Sequence, residues 1–421
     1  MHKIINNFRT IDKPILYLIG AVFFSQLIEA GLFILLNYYL KNLQYSDTAI
    51  AELTAFRYMA IMVLALPLGI FIKGRKLKPF FFFSAIATPL LTLVALYALE
   101  NHQTNLAEVA MLFWGFTRIC LGVTTLPFIV NNTPEDKHSE AITLYFMTSS
   151  LTIFLMGLLY AGLHALNPQW FDEGRVLQLV CFLGLLSVYF VHKIQLEEKT
   201  GQRADWRALS ASFDWGIIAK VSMPTFLIAI GAGLTIPFVN LFFQQVHHIA
   251  SAEFSLIGSF SFVLVSVMLI FIPSIQRRFG FRVAITLFQS LAVLALFVMA
   301  TTEYYAHLPF AAEIAIAAYL LRQPLMNVAG PSTSELSLHF VGERNREMIS
   351  AINAAIWSGS WFVSSLVFGY LRSKAVPYAH IFFMTVLLYI LAILWYVYLI
   401  KLHKKLNLDK PEDEGLQYEV N

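Results

Sequence analysis

Apolar runs of about twenty residues recur along this chain from Pro14 almost to Lys401, and no water-facing fold accommodates such a series. A helix crossing about 30 Å of hydrocarbon at 1.5 Å per residue needs roughly 20 apolar residues. Twelve stretches meet or approach that length, at about 15–40, 48–72, 79–99, 106–131, 140–164, 176–193, 218–245, 253–275, 281–301, 309–340, 347–372 and 378–402. The sixth is the shortest. Because lipid offers the backbone no hydrogen-bonding partners, such runs must be helical, and the expectation is an all-α polytopic membrane protein. Composition agrees: 58% of the 421 residues are hydrophobic and 13% charged, against about 25% charged in a soluble domain. A soluble enzyme is excluded. The net charge of +3 is thinly spread and the sequence has no Gly-Lys-Ser phosphate loop, so neither nucleic acid nor a nucleotide is an expected partner. The two cysteines, Cys120 and Cys181, lie within apolar runs and read as packed thiols rather than a disulfide or metal pair. No cofactor or metal is expected.

Lys and Arg gather in cytoplasmic loops. With the amino terminus inside, almost all of the loop Lys and Arg fall on the cytoplasmic side, leaving only Lys41, Arg175, Arg372 and Lys374 outside. Both termini are therefore predicted to be cytoplasmic. Lys3, Arg9 and Lys13 precede a first span too long for a signal peptide, with no small-residue cleavage site after it, so that span is expected to stay attached. The longest connection, 194–217, is rich in charge and divides the spans six and six. It separates an amino-terminal half, 1–193, from a carboxy-terminal half, 218–405. The acidic tail, 406–421, is expected to be disordered.

The halves repeat. Arg118 precedes Pro127 by nine positions in the fourth span, and Arg322 precedes Pro331 by nine in the tenth, a shift of 204 residues. Basic stretches close the second span (Gly69 to Lys78) and the eighth (Pro273 to Arg282), and Ala161 to Leu163 in the fifth falls on Gly369 to Leu371 in the eleventh. Two like-oriented six-helix halves place a binding site at their interface near the midplane. On these features the chain resembles the major facilitator superfamily over residues 10 to 405. Gly69, Gly74, Arg75 and Lys76 are similar to that family's glycine-rich and basic loop motif, although Lys73 stands at its acidic position; Arg278, Gly280 and Arg282 form the second copy, with Pro273 and Arg277 at its glycine and acidic positions. Arg118 and Gly122 resemble the family's Arg-x-x-x-Gly motif, which is associated with proton coupling. The resemblance implies the family's fold, two six-helix bundles related by a pseudo-two-fold axis, and gating roles for Gly69, Arg75, Gly280 and Arg282.

Charges deep in a bilayer cost at least about 2.5 kcal/mol each and require a cavity, a partner or a task. Counted at about 1.5 Å per residue, Glu29, Arg57, Arg118 and Arg322 all lie roughly 20 Å from the cytoplasmic ends of their spans. At helical spacing, polar stripes run through Gln26, Glu29 and Asn37 on the first span, and Trp114, Arg118 and Thr125 on the fourth. Others run through Gly233, Asn240 and Gln244 on the seventh, and Tyr319, Arg322 and Thr333 on the tenth. In the resembled fold these are the cavity-lining helices. Three arginines against one glutamate give a cavity of about +2, which favours an anionic solute. Its binding residues are then Arg118, Arg322, Asn240, Gln26, Asn37, Trp114 and Tyr319. Glu29, beside Arg57 and Arg118, is the candidate proton carrier. The same residues admit a plainer reading, in which Glu29 and Arg57 form a permanent ion pair between the first two spans and Arg118 caps carbonyls near a kink. Glu335, nearer the inner end, belongs to a cytoplasmic gate or a solvated mouth.

The small-residue face of the eleventh span (Ala351, Ala354, Ala355, Ser358, Gly359) permits close helix contact. Trp357 and Trp361 read equally as packing or as solute stacking. His247 and His248 point apart on a helix and suit no metal, and the sequon at Asn131 falls on the cytoplasmic side. The expected function is secondary transport of a small, anionic organic solute by alternating access, coupled to protons by symport or antiport. The rivals are an exporter or flippase of amphipathic drugs or lipids, which the aromatic content of 15% suits, and a non-transporting membrane sensor, for which the loops are too short to hold an output domain. The chain is expected to be a monomer in a bacterial inner membrane.

Overall fold

The computed structural model describes residues 11–72, 75–134, 138–196, 215–341 and 346–406. Most of the 194–217 connection, nearly all of the tail, and Lys3, Arg9, Lys73 and Gly74 lie outside the described residues. The amino-terminal bundle comprises α1 (Lys13–Asn42), α2 (Asp47–Ile72), α3 (Lys78–Glu100), α4 (Thr104–Asn131), α5 (His138–Leu166) and a sixth helix in two pieces, α6a (Glu173–Gly184) and α6b (Leu186–Lys193). The carboxy-terminal bundle begins with a broken helix, α7a (Trp215–Thr235) and α7b (Val239–His247). It continues with α8 (Ser251–Phe281), α9 (Phe288–Thr301), α10 (Ala311–Val341), α11 (Arg346–Ser373) and α12 (Tyr378–Lys405).

Eleven helical stretches among the described residues are long and apolar enough to cross a membrane. The helix outside that set, α10, is 31 residues long, but Arg322, Gln323, Asn327 and Ser334 dilute its apolar character. It carries the polar cavity described below.

Packing repeats between the halves. α1 lies against α5 and α6, α2 against α4, and α3 against α4; α7 lies against α11 and α12, α8 against α10, and α9 against α10. The left-handed residue that ends the first helix of each half, Gln44 (φ 64°) and His248 (φ 55°), keeps the 204-residue shift of Arg118 and Arg322. Across the halves, α2 runs along α11 and α5 along α8. Lipid tails give helices no hydrophobic reason to associate, so close backbone approach does that work. At Gly157 the approach is extreme: a Cβ there would lie 2.4 Å from the Ser255 carbonyl oxygen. On the expected small-residue face of α11, Gly359 meets the Met62 side chain of α2.

Three helices depart from the continuous spans read in the sequence. The seventh breaks in a 3-10 turn at Ile236–Phe238, because Pro237 cannot donate to the helical ladder. The sixth bends at Leu185, and a π-helical stretch, Arg282–Leu287, precedes α9. Gly280 makes the α8–α9 turn with φ 70° and ψ 179°, a conformation that favours glycine. Both cysteines are free and buried.

Candidate functional site

The two ends of the molecule differ. Both α1 and α12 have their chain-terminal ends on one side, here called the termini side; the α1–α2 and α11–α12 turns lie on the far side. On the far side the halves are sewn together. Asn37 of α1 donates from Nδ2 to Asn240 Oδ1 at 2.8 Å and to the Pro237 carbonyl at 2.6 Å, the acceptor freed by the break in α7. Asp47, at the start of α2, pairs with Lys41 and accepts bonds from Arg372 Nε (2.8 Å), Gln245 Nε2 (2.8 Å) and Tyr378 OH (3.0 Å). Ser251 donates to Glu173 and is bonded to Tyr160, joining α5, α6a and α8. Eleven hydrogen bonds join the halves in this far-side region, bounded by Ile34–Thr48 and Phe154–Glu173 in one half and Pro237–Ser259 and Gly369–Tyr378 in the other. Toward the termini a Cβ at Gly122 or Gly330 would meet nothing within 4 Å. Among the described residues the halves are joined at the far side and leave room between them toward the termini.

In the amino-terminal half, Arg118 of α4 pairs with Glu29 of α1 through Nη2 and Oε2. Arg57 takes no part in an ion pair with Glu29. Its guanidinium lies 4.8 Å from the centroid of the Trp114 ring, buried, with Nε lacking a hydrogen-bond partner. The permanent Glu29–Arg57 brace is therefore corrected to a Glu29–Arg118 pair, with Arg57 held by the negative face of an indole. All three charges remain within electrostatic reach of Tyr58. Gln26 accepts a 2.6 Å bond from Thr148 of α5. The Glu29 side chain is 41% exposed while Arg118 is 15% exposed, so the carboxylate is the accessible member of the pair.

The carboxy-terminal half holds a cavity of about 290 Å3. Arg322 of α10 lies at its wall, 2% exposed. Nη1 donates to Gln323 Oε1 at 2.8 Å and Nη2 to Tyr389 OH at 3.4 Å, and Nε is unpartnered. Gln289, Asn327 and Asn353 add amides to the wall, and Trp357, Tyr389 and Tyr396 add rings. Arg322 is the one charged group among the residues lining it. Of the four groups counted toward the expected charge of about +2, Arg322 alone lines this cavity, while the Glu29–Arg118 pair and Arg57 beside Trp114 belong to the other half.

Other sequence candidates lie elsewhere. Asn37 and Asn240 form the far-side seam, satisfied by each other. Tyr319 is buried against Phe243 and Phe254, and Trp114 is 2% exposed beneath Arg57. Gln289, Gln323, Asn327 and Asn353 were the cavity residues missed by sequence reading. Their signal was available: Gln323 and Asn327 are one turn apart beside Arg322, and Gln289 is a lone amide in an apolar span.

At the termini side, Gly69 lies 3.7 Å from Val123 of α4 by its added Cβ, and the Arg75 guanidinium sits 3.9 Å from the Phe71 ring centroid. Gly280 and Arg282 make the turn into α9. Glu335 is half-exposed and lies 4.0 Å from His339. His247 Nε2 lies 2.9 Å from Thr302 Oγ1, and among the described residues no cluster of three or more metal-ligating side chains occurs.

Two bundles joined at one side around intramembrane polar sites define a polytopic membrane protein with a transporter architecture. The sequence model of the Major Facilitator Superfamily matches residues 18–364, and the chain belongs to that family. Its fold matches a mutant of the nucleoside transporter NupG with a TM-score of 0.74 at 13% identity, over 92% of this chain and 99% of that one. An inward-facing, occupied bacterial homologue of the human lysosomal transporter Spinster gives 0.71 at 12%, over 93% and 97%. A D-xylose-proton symporter gives 0.69 at 13%, over 91% and 96%. No curated protein sequence matches significantly. At these identities the likeness shows the fold of Major Facilitator transporters, and the family is one of transporters rather than enzymes.

Proposed function

We propose that the protein is a secondary transporter that moves a small organic anion by alternating access, coupled to protons, across a bacterial inner membrane with both termini cytoplasmic. The observation that supports this most directly is Arg322. A guanidinium 2% exposed, without a carboxylate partner among the cavity residues, stands at the wall of a cavity in a molecule whose halves are joined on one side and leave room between them on the other. An isolated buried cation is costly unless something compensates it, and an anionic solute entering from the open side supplies that compensation. The far-side seam is then one gate of the cycle and the Gly69–Arg75 and Gly280–Arg282 turns belong to the other.

Proton coupling rests on Glu29. Deprotonated, it holds Arg118 across α1 and α4; protonated, it releases that cation without moving the backbone. Its 41% exposure lets it exchange protons in this open state. The amide-lined cavity favours a polar solute over the lipophilic substrates of a drug or lipid exporter. Reconstituted protein in sealed vesicles with an imposed pH gradient tests the reading. Uptake of an organic anion should follow the gradient, Glu29→Gln should transport without responding to it, and Arg118→Ala should lose transport while remaining folded. Gradient-driven uptake persisting in Glu29→Gln refutes the coupling role.

A further inference from the structure

The hydrogen-bonding demands left open in the carboxy-terminal cavity restrict the solute further, given that this cavity binds the transported anion. Three buried atoms on residues that line this cavity lack hydrogen-bond partners: Arg322 Nε, Gln289 Oε1 and Asn353 Oδ1. Gln289 is 3% exposed and Gln323 5%. Buried polar groups without partners are costly, so the ligand that fits is one that offers an acceptor to the guanidinium and donors to the two amides. We propose that the solute is a small monoanionic hydroxy carboxylate, its carboxylate on Arg322 and its hydroxyls on Gln289 and Asn353.

Each alternative fails on a specific ground. Phosphate monoesters carry nearly two negative charges at neutral pH, and one arginine leaves the second uncompensated. An amino acid brings an ammonium group, yet no carboxylate lines the cavity to receive it, and the ammonium lies close to Arg322. Plain fatty acids leave both amide oxygens empty. A neutral sugar leaves the guanidinium uncompensated. A hydroxyl both donates and accepts, so it suits an amide whichever way the amide is turned. Size agrees. At about 30 Å3 per water molecule, the 290 Å3 cavity holds on the order of ten non-hydrogen atoms, which is a four- to six-carbon acid. The rings of Trp357 and Tyr396 at the wall provide apolar faces for the C–H side of such a molecule.

Purified full-length protein is titrated in lipid nanodiscs, reading Trp fluorescence and thermal stabilisation, with gluconate, hexanoate, glucose and inorganic phosphate as probes. Gluconate should bind at least tenfold more tightly than each of the others. Arg322→Gln should weaken gluconate at least tenfold and leave glucose within twofold. Asn353→Leu should weaken gluconate at least tenfold and leave hexanoate within twofold, and it guards against an Arg322 variant that fails to fold. Hexanoate equal to gluconate, tighter phosphate, or gluconate binding unaffected by Asn353→Leu each overturns the proposal. The wider transport reading is checked separately by gradient-driven anion uptake: uptake of an anion other than a hydroxy acid sinks this inference alone, whereas gluconate binding without uptake of any anion sinks the transport reading.

Discussion

Replacing Asp47 with Asn removes the charge on which the far-side closure converges. Asp47 belongs to α2 of one half, and three of its four partners, Arg372, Gln245 and Tyr378, belong to the other. Its side chain is 9% exposed, so the contacts are only lightly screened. Hydrogen bonds to charged groups contribute about 1.5–3 kcal/mol and neutral ones about 0.5–1.5. Asparagine keeps one acceptor oxygen, so the change converts an ionic Arg372 bond into a neutral one, weakens those from Gln245 and Tyr378, and leaves Lys41 facing Arg372 unneutralised. A loss of about 2 kcal/mol from the closed far side follows, and at 1.4 kcal/mol per tenfold that is roughly a 30-fold shift toward far-side opening. A minor state populated to about 1% then rises to roughly a quarter. Spin labels at Ser46 and Lys374, in the α1–α2 and α11–α12 turns, report the separation. Pulsed-EPR distances should gain a longer component in Asp47→Asn but not in Lys41→Met, whose partner lies in its own half. Identical distributions in the wild type and folded Asp47→Asn refute the latch.

Two further substitutions test the packing. Gly115→Ala places a Cβ 2.3 Å from the Arg57 carbonyl oxygen; forcing α2 and α4 apart should cost about 1–3 kcal/mol, read as a lower Tm in detergent. Asn37→Ala strands the Asn240 and Pro237 partners in a buried seam and should weaken far-side closure by about 1–3 kcal/mol, read as faster alkylation of a cysteine placed at Asn42. An unchanged rate removes that bond from the gate.

Eleven apolar spans were legible because lipid imposes one simple rule, length of apolar run, and α10 falls outside that rule because polar residues interrupt it. The repeat was legible too, since Arg118 and Arg322 carry the same nine-residue interval to a proline. Pairing was not. Glu29 can reach across to either neighbouring cation from the same helical face, and period alone cannot say whether Arg57 or Arg118 is nearer; the rotation of α4, fixed by Gly115 against Arg57, decides it and lays Trp114 over Arg57. Asp47 escaped notice because it reads as an ordinary acidic residue in the first turn of a helix, and its partners in the other half lie 198 to 331 positions away. The break in α7 left a signal in Pro237, but its consequence, a carbonyl freed for Asn37, depends on how the halves meet.

In the proposed cycle the two halves hold different kinds of charge, and this limits how proton and solute can be coupled. Arg322 cannot lose its proton in a protein, so the binding half presents a fixed cation and no proton carrier. Glu29, the proposed proton carrier, sits in the other half and is occupied with Arg118. Coupling must therefore cross the seam. One contiguous path of side chains does so near the midplane: Trp114 beneath Arg57, the neighbouring Tyr58 edge-on to Trp361 at 5.0 Å, and Trp361 beside Trp357 at 6.3 Å, which lines the cavity. Trp114 lies on α4, and Tyr58 and the Trp361–Trp357 pair lie on α2 and α11, the pair that packs most extensively between the halves. That path ends at Arg57, whose partner is a ring rather than a carboxylate, so a cation and the cavity wall are joined by aromatic contacts across the seam.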